Sequence, residues 1–302
     1  MTRRLLATTV VLAALAAACS NDATPSVQPT TTTAPPTSQP SATGSTPTAT
    51  PSTGTSASPS ATGTMRVPVY YLGGGTPRTV LYREFRSVPR SAGVVKAAVE
   101  AMLHLAPQDT DYRSVWPVST QVRGISVSGN VATVDLSANA RTASAGASVE
   151  QASLQQLVHT VTAAAPSITG VRLRFDGQTK ETLWGHVDTR GTLTRRASTD
   201  TLAPIWVVEP AHLSRVGRTF TVKGTATVFE ATVQWKVTRP GSDAVLKSGF
   251  VTATKGAPER GDFTVSVTLP AGTTGDVVFT AWESSAQDGS VLWPDSKTYR
   301  VA

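Results

Sequence analysis

Apolar positions between Val67 and Phe175 change period several times, and each change marks an element. Val67-Pro68-Val69-Tyr70-Tyr71 and Val80-Leu81-Tyr82-Arg83 flank Gly73-Gly74-Gly75, which predicts a β-hairpin. Val95, Ala98, Val99, Met102 and Leu103 then fall at i, i+3, i+4, i+7 and i+8, a helical stripe with Ser91 as its cap and Pro107 beyond its end. Ile125-Ser126-Val127 and Val131 to Leu136 surround Gly129-Asn130, a second hairpin. Ser148 and Gln151 form a capping-box pattern ahead of Leu154, Leu157, Val158 and Val161, a second helix that stops at Pro166. Val171, Leu173 and Phe175 alternate with Arg172 and Arg174, a half-buried strand closed by Asp176-Gly177. Two strands, helix, two strands, helix, strand predicts an α/β sandwich with two helices against a mixed sheet.

Near Ala197 to Ala203 the pattern changes, and only short strands follow. Ile205–Val208, Phe220–Lys223, Thr232–Val237, Phe250–Ala253, Phe263–Leu269, Val277–Trp282 and Lys297–Val301 are separated by Gly, Pro and Asp turns. Seven strands in about 100 residues predict an immunoglobulin-like sandwich. The fold class is therefore α+β, with one domain over 65–198 and an all-β domain over 199–302, each carrying a core of ordinary size and expected to fold alone.

Ahead of these domains, Arg3-Arg4, the apolar run Leu5 to Ala18 and Ala16-Ala17-Ala18-Cys19 form an export signal over 1–19. The run is shorter than the roughly 20 residues a membrane-spanning helix needs. Cys19 is the only cysteine, so no intramolecular disulfide exists and lipid attachment at Cys19 is expected. The other reading is an ordinary signal with an incidental cysteine, which leaves a secreted protein. Residues 20–64 hold 31 Ser, Thr or Pro in 45 positions and no aromatic side chain. Too little apolar surface is present there to offset backbone ordering, which predicts a disordered tether.

The chain carries a formal charge of +7, with its basic residues scattered apart from short pairs such as Arg195-Arg196 and without interleaved aromatics. That excludes a nucleic-acid groove of the usual kind and is compatible with anionic lipid or wall polymer. His104, His159, His186 and His212 have no metal-ligand spacing, so neither a metal nor another cofactor is expected. Gly-x-Ser-x-Gly and Ser-x-x-Lys active-site runs are absent, and the Gly73 run lacks the Lys-Ser/Thr of a phosphate loop. No catalytic residue is assigned.

Glu230 falls where the alternation shifts phase between Val228 and Phe229, which predicts a bulge whose backbone donors its carboxylate satisfies. Asp288-Gly289 reads as a turn before the last strands. Among the six tryptophans, Trp235 alternates in phase with Val233 and Val237 and belongs to a core, whereas Trp293 stands before Pro294 in a loop and is a contact candidate. Trp293, Asp288 and Glu283 are the candidate binding surface.

Val69-Tyr70, Ala98 to Leu105, Trp116-Pro117, Asn130 to Ser137, Leu157 to Thr162 and Val171 to Gly177 together resemble the GerMN domain of sporulation and germination proteins, which also occurs in many actinobacterial lipoproteins. Ala106-Pro107 departs from the Gly-Pro usual there. Glu209-Pro210, Val222 to Ala226, Phe229-Glu230-Ala231, Asp262-Phe263 and Ala281 to Ser285 with Asp288-Gly289-Ser290 resemble the germination-type immunoglobulin-like domain (Gmad2) that follows it. The resemblance implies assembly, not catalysis: a lipid-anchored protein on the extracytoplasmic face of the cell membrane, binding another envelope protein or a wall component, with self-association conceivable. Two other readings stay open. One is a cell-wall glycan hydrolase or glycan-binding protein using Glu230, Glu283 or Asp288, and the other is a regulator of a membrane sensor kinase.

Overall fold

The computed structural model describes residues 63–74, 78–90 and 93–302. Cys19, the export signal, the tether up to 62, Gly75 and Ser91 lie outside the described residues. The described residues fall in one compact unit, in which no described helix is long and apolar enough to cross a membrane.

β1 (Thr64–Gly74) and β2 (Thr79–Pro89) form the first hairpin, with Tyr70 opposite Arg83 and Leu72 opposite Leu81. α1 (Val94–His104) buries Ala98, Val99, Met102 and Leu103 as the stripe predicts, and Gly93 occupies its N-cap. β3 (Val122–Ser128), β4 (Val131–Leu136), α2 (Ala147–Ala164), β5 (Gly170–Phe175) and β6 (Leu193–Thr194) follow. The mixed sheet runs β3-β4-β5-β6, parallel only between β4 and β5, and the first hairpin stands apart as a two-stranded ribbon.

α2 explains that separation. Its apolar stripe is buried, but so are Gln155, Gln156, His159 and Thr160, because the helix is covered nearly all round. Gln156 Nε2 donates to the Tyr70 carbonyl at 2.8 Å and Thr160 Oγ1 accepts from the Tyr70 amide at 3.1 Å. Those are groups that β1 would otherwise offer to a further strand, so helix side chains close this edge. The capping box is not formed. α2 begins at Ala147 behind an N-cap Gly146, which places Ser148 inside the first turn, where its hydroxyl has no orphan amide to cap. The acid of that turn is Glu150, fully buried, which accepts the amides of Trp184 and His186 at 2.9 Å each and of Val187 at 3.2 Å. Burial alone raises its pKa, and these bonds reverse the effect, holding the carboxyl below the ordinary range.

α3 (Ser198–Thr201) leads into the second domain. β7 (Ile205–Glu209), β8 (Arg215–Val216), β9 (Thr219–Ala226), β10 (Thr232–Thr238), β11 (Val245–Thr252), β12 (Gly261–Thr268), β13 (Gly275–Ser284) and β14 (Val291–Val301) build two sheets, β12-β9-β7 and β11-β10-β13-β14-β8. All seven strands read from the sequence are present, and the two-residue β8 adds a parallel pairing to β14. Phe220, Val222, Phe263 and Val265 of one sheet and Val233, Trp235, Val237 and Phe279 of the other fill the core between them. The chain crosses between cores over a few residues: Leu202, Ala203 and Trp206 pack into the first, Ile205 and Val207 into the second.

Candidate functional site

Of the residues singled out in the sequence, Glu230 and Trp293 occupy other roles than expected. Glu230 sits in the tight turn Phe229–Ala231 at φ 53, exposed, and does not satisfy the turn's backbone. Glu283 does so from β13, its Oε1 accepting the Phe229 amide at 2.8 Å. The irregularity lies where the phase shift places it, but the carboxylate that supports it comes across the sheet. Trp293 is not in a loop. It lies within β14 at φ 53, where the pairing with β13 shifts register, and it is half-buried with the Arg78 guanidinium 5.4 Å above its ring. Asp288 does form the expected turn, accepting the Ser290 amide at 3.1 Å, and the hydrogen bonds from Ser290 hold its carboxyl below the usual range.

The structure therefore divides the predicted surface. Glu283 lines an open depression of about 700 Å³ together with Phe229, Glu230, Gln234, Gln287 and Leu292, while Asp288 and Trp293 lie outside its wall. Beside it runs an aromatic row that sequence reasoning missed. Trp235 points inward, so Gln234 points outward, and its cross-strand partners Phe250 on β11 and Trp282 on β13 share that outer face. Phe250 is 69% exposed and Phe229 64%. The signal was available: Phe279 and Ala281 occupy the inward phase of β13, which leaves Trp282 in the outward phase where a polar residue is the rule.

A second cluster joins the domains. Lys297 Nζ bonds to Asp109, lies 2.5 Å from the Tyr112 hydroxyl and 3.5 Å from Asp295. Asp295 accepts the Tyr112 hydroxyl at 2.7 Å and the Val207 amide at 2.6 Å. Tyr112 stacks on Tyr82 at 4.4 Å, and Glu84 holds the turn that carries Asp109 by accepting the amides of Gln108 and Asp109. His212 Nδ1 stands 3.9 Å from Asp109. All four central side chains are nearly sealed from water, so burial pushes the Asp295 carboxyl up against the pull of Lys297 and raises the Tyr112 hydroxyl as well. Asp109 and Tyr112 come from the first domain, Asp295 and Lys297 from the second. Their closure against solvent makes this a joint and leaves no room for a substrate.

Comparison with known proteins agrees with the residue motifs. Residues 68–181 match the domain family described as "Sporulation and spore germination", and residues 204–290 match the "Immunoglobulin-like domain of bacterial spore germination". Among solved structures, a candidate lipoprotein from Clostridium perfringens is 20% identical, covering 44% of this chain and 88% of that one with a TM-score of 0.32. The first GerMN domain of the sporulation protein GerM from Bacillus subtilis is 22% identical, covering 43% of this chain and 98% of that one at 0.36. The tandem GerMN domains of the same protein are 16% identical, covering 44% and 46% at 0.37. None of the curated proteins matches the sequence.

Proposed function

We propose that this chain, which joins a sporulation-and-germination domain to the immunoglobulin-like domain of bacterial spore germination, is a non-catalytic binding or assembly module of the cell envelope. Lipid on Cys19 holds it at the extracytoplasmic face of the membrane, and the partner is another envelope protein or a wall component. The observation that supports this reading most is the outward row of Phe250, Gln234 and Trp282 with exposed Phe229 beside it. Large aromatic side chains left on a sheet face gain little for the fold and much for a contact. The buried joint favours the same reading, since it fixes the second domain on the first and so presents the face in one orientation.

A second reading draws on one observation. Glu230 and Glu283 share a depression with Phe229, which is an arrangement that glycan hydrolysis uses. Incubation of the full chain, purified in detergent, with peptidoglycan separates the two. The binding reading predicts that no soluble fragments are released, whether or not the chain sediments with the polymer. Fragment release that Glu230→Gln or Glu283→Gln abolishes replaces it with the hydrolase reading.

A further inference from the structure

Only some arginines of this protein pair with a carboxylate. Arg66, Arg86, Arg123, Arg190 and Arg300 each have a carboxylate within 4 Å: Glu209, Glu84, Asp176, Asp188 and Asp276. Arg83, Arg195 and Arg260 form no ion pair among the described residues, yet they gather around one place. Arg83 of β2 and Arg195 beyond β6 wall an open cavity of about 670 Å³ with Tyr70, Thr162, Pro166 and Thr169, and no acid lines it. Arg260 comes from the second domain, its guanidinium fixed 4.1 Å over the Trp206 ring and bonded to the Ala203 carbonyl at 2.7 Å.

Three further facts bear on the positive charge gathered there. Burial, reinforced by Arg83, pushes the Arg260 pKa down to about 10 against the opposing pull of Tyr70 and of Asp262. His159, packed 5.1 Å from the Tyr70 ring, is held neutral with its pKa near 3 by burial and then by the charges of Arg195 and Arg260. Buried polar atoms also stand unused: Arg83 Nε, Arg260 Nε and both ring nitrogens of His159 have no hydrogen-bond partner. Buried donors without partners are costly, and guanidinium groups without carboxylates are the usual receptor for oxyanions. Arg195 is held at the wall by its Nε, which donates to Thr162 Oγ1 at 2.7 Å.

We propose that the cavity walled by Arg83 and Arg195, with Arg260 behind it, binds a phosphate group. Guanidinium groups set on separate elements suit the tetrahedrally arranged oxygens of a phosphate group better than the two coplanar oxygens of a carboxylate. The Thr169 hydroxyl on the same wall accepts from Asn130 Nδ2 and keeps its own hydrogen as a further donor. This inference is independent of the aromatic face, which lies on the other sheet of the second domain.

Calorimetric titration of the full chain in detergent tests it, with inorganic phosphate, glycerophosphoglycerol (the free headgroup of an anionic phospholipid) and acetate as probes at constant ionic strength. Saturable binding of either phosphate probe is expected, weakened at least tenfold by Arg83→Gln and by Arg195→Gln and unchanged by Arg123→Gln. Tighter binding of the diester assigns the phosphate to lipid, and tighter binding of the inorganic ion assigns it to a free phosphate. Arg195 is exposed, so its variant folds even where Arg83→Gln does not. Absence of binding, binding that survives Arg195→Gln, or acetate binding as tight as phosphate overturns the proposal.

Discussion

Glu283 and Glu230 reach the same turn from different places, and only Glu283 bonds to its backbone. Glu283→Leu removes the acceptor of the Phe229 amide and is expected to cost about 1 kcal/mol, whereas Glu230→Leu at an exposed position changes stability by less than about 0.5 kcal/mol. Urea denaturation of the two variants checks the order, and a larger loss at Glu230 contradicts it. The sequence located this irregularity from a phase shift but attached it to the nearer acid, because periodicity along one strand carries no information about which strand lies beside it. Trp293 was misplaced for a related reason. Its neighbour Pro294 signals a break in a ladder, and a strand with a register shift satisfies that signal as well as a loop does.

At the scale of elements, β9 shows how closely the strands on either side of it, β12 and β7, crowd its backbone. Gly224 faces Phe263 across the β9–β12 pair, and a Cβ there would lie 2.1 Å from Phe263 Cζ and 2.7 Å from the Trp206 carbonyl oxygen. The ring can rotate away but the carbonyl belongs to paired β7 backbone, so Gly224→Ala is expected to destabilise by about 3 kcal/mol. Thermal denaturation reads this as a drop of several degrees in Tm, and an unchanged melt rules out the close approach. Strands were legible wherever one face is buried, as in β4, β5, β9, β10 and β12. The capping of α2 was not, since the Ser148 pattern is local while the start of the helix is set by its tertiary cover and by Glu150 holding the 184–187 loop. The separate ribbon was also hidden, because strand periodicity does not say which strands share a sheet.

The whole molecule depends on the joint. Lys297 is the one ammonium between Asp109 and Asp295, and Lys297→Met leaves two buried carboxyls uncompensated, a loss expected to be about 3–5 kcal/mol. Calorimetry of the wild-type chain is predicted to show one cooperative transition, and that of Lys297→Met two, as the domains uncouple. Two transitions already in the wild type contradict the joint as described. Nothing in the sequence announced it, since Asp109, Tyr112, Asp295 and Lys297 form no motif and come together only where the two domains meet.

The central claim, that function resides in a presented surface and not in catalysis, is tested most directly by complementation of a deletion strain with two double variants whose melts match the wild type. Phe250→Ser with Trp282→Ser removes the aromatic face, and Glu230→Gln with Glu283→Gln removes the acids while keeping their shape. Failure of the aromatic variant and rescue by the carboxylate variant is the predicted result. Rescue by the aromatic variant and failure of the carboxylate variant contradicts the account.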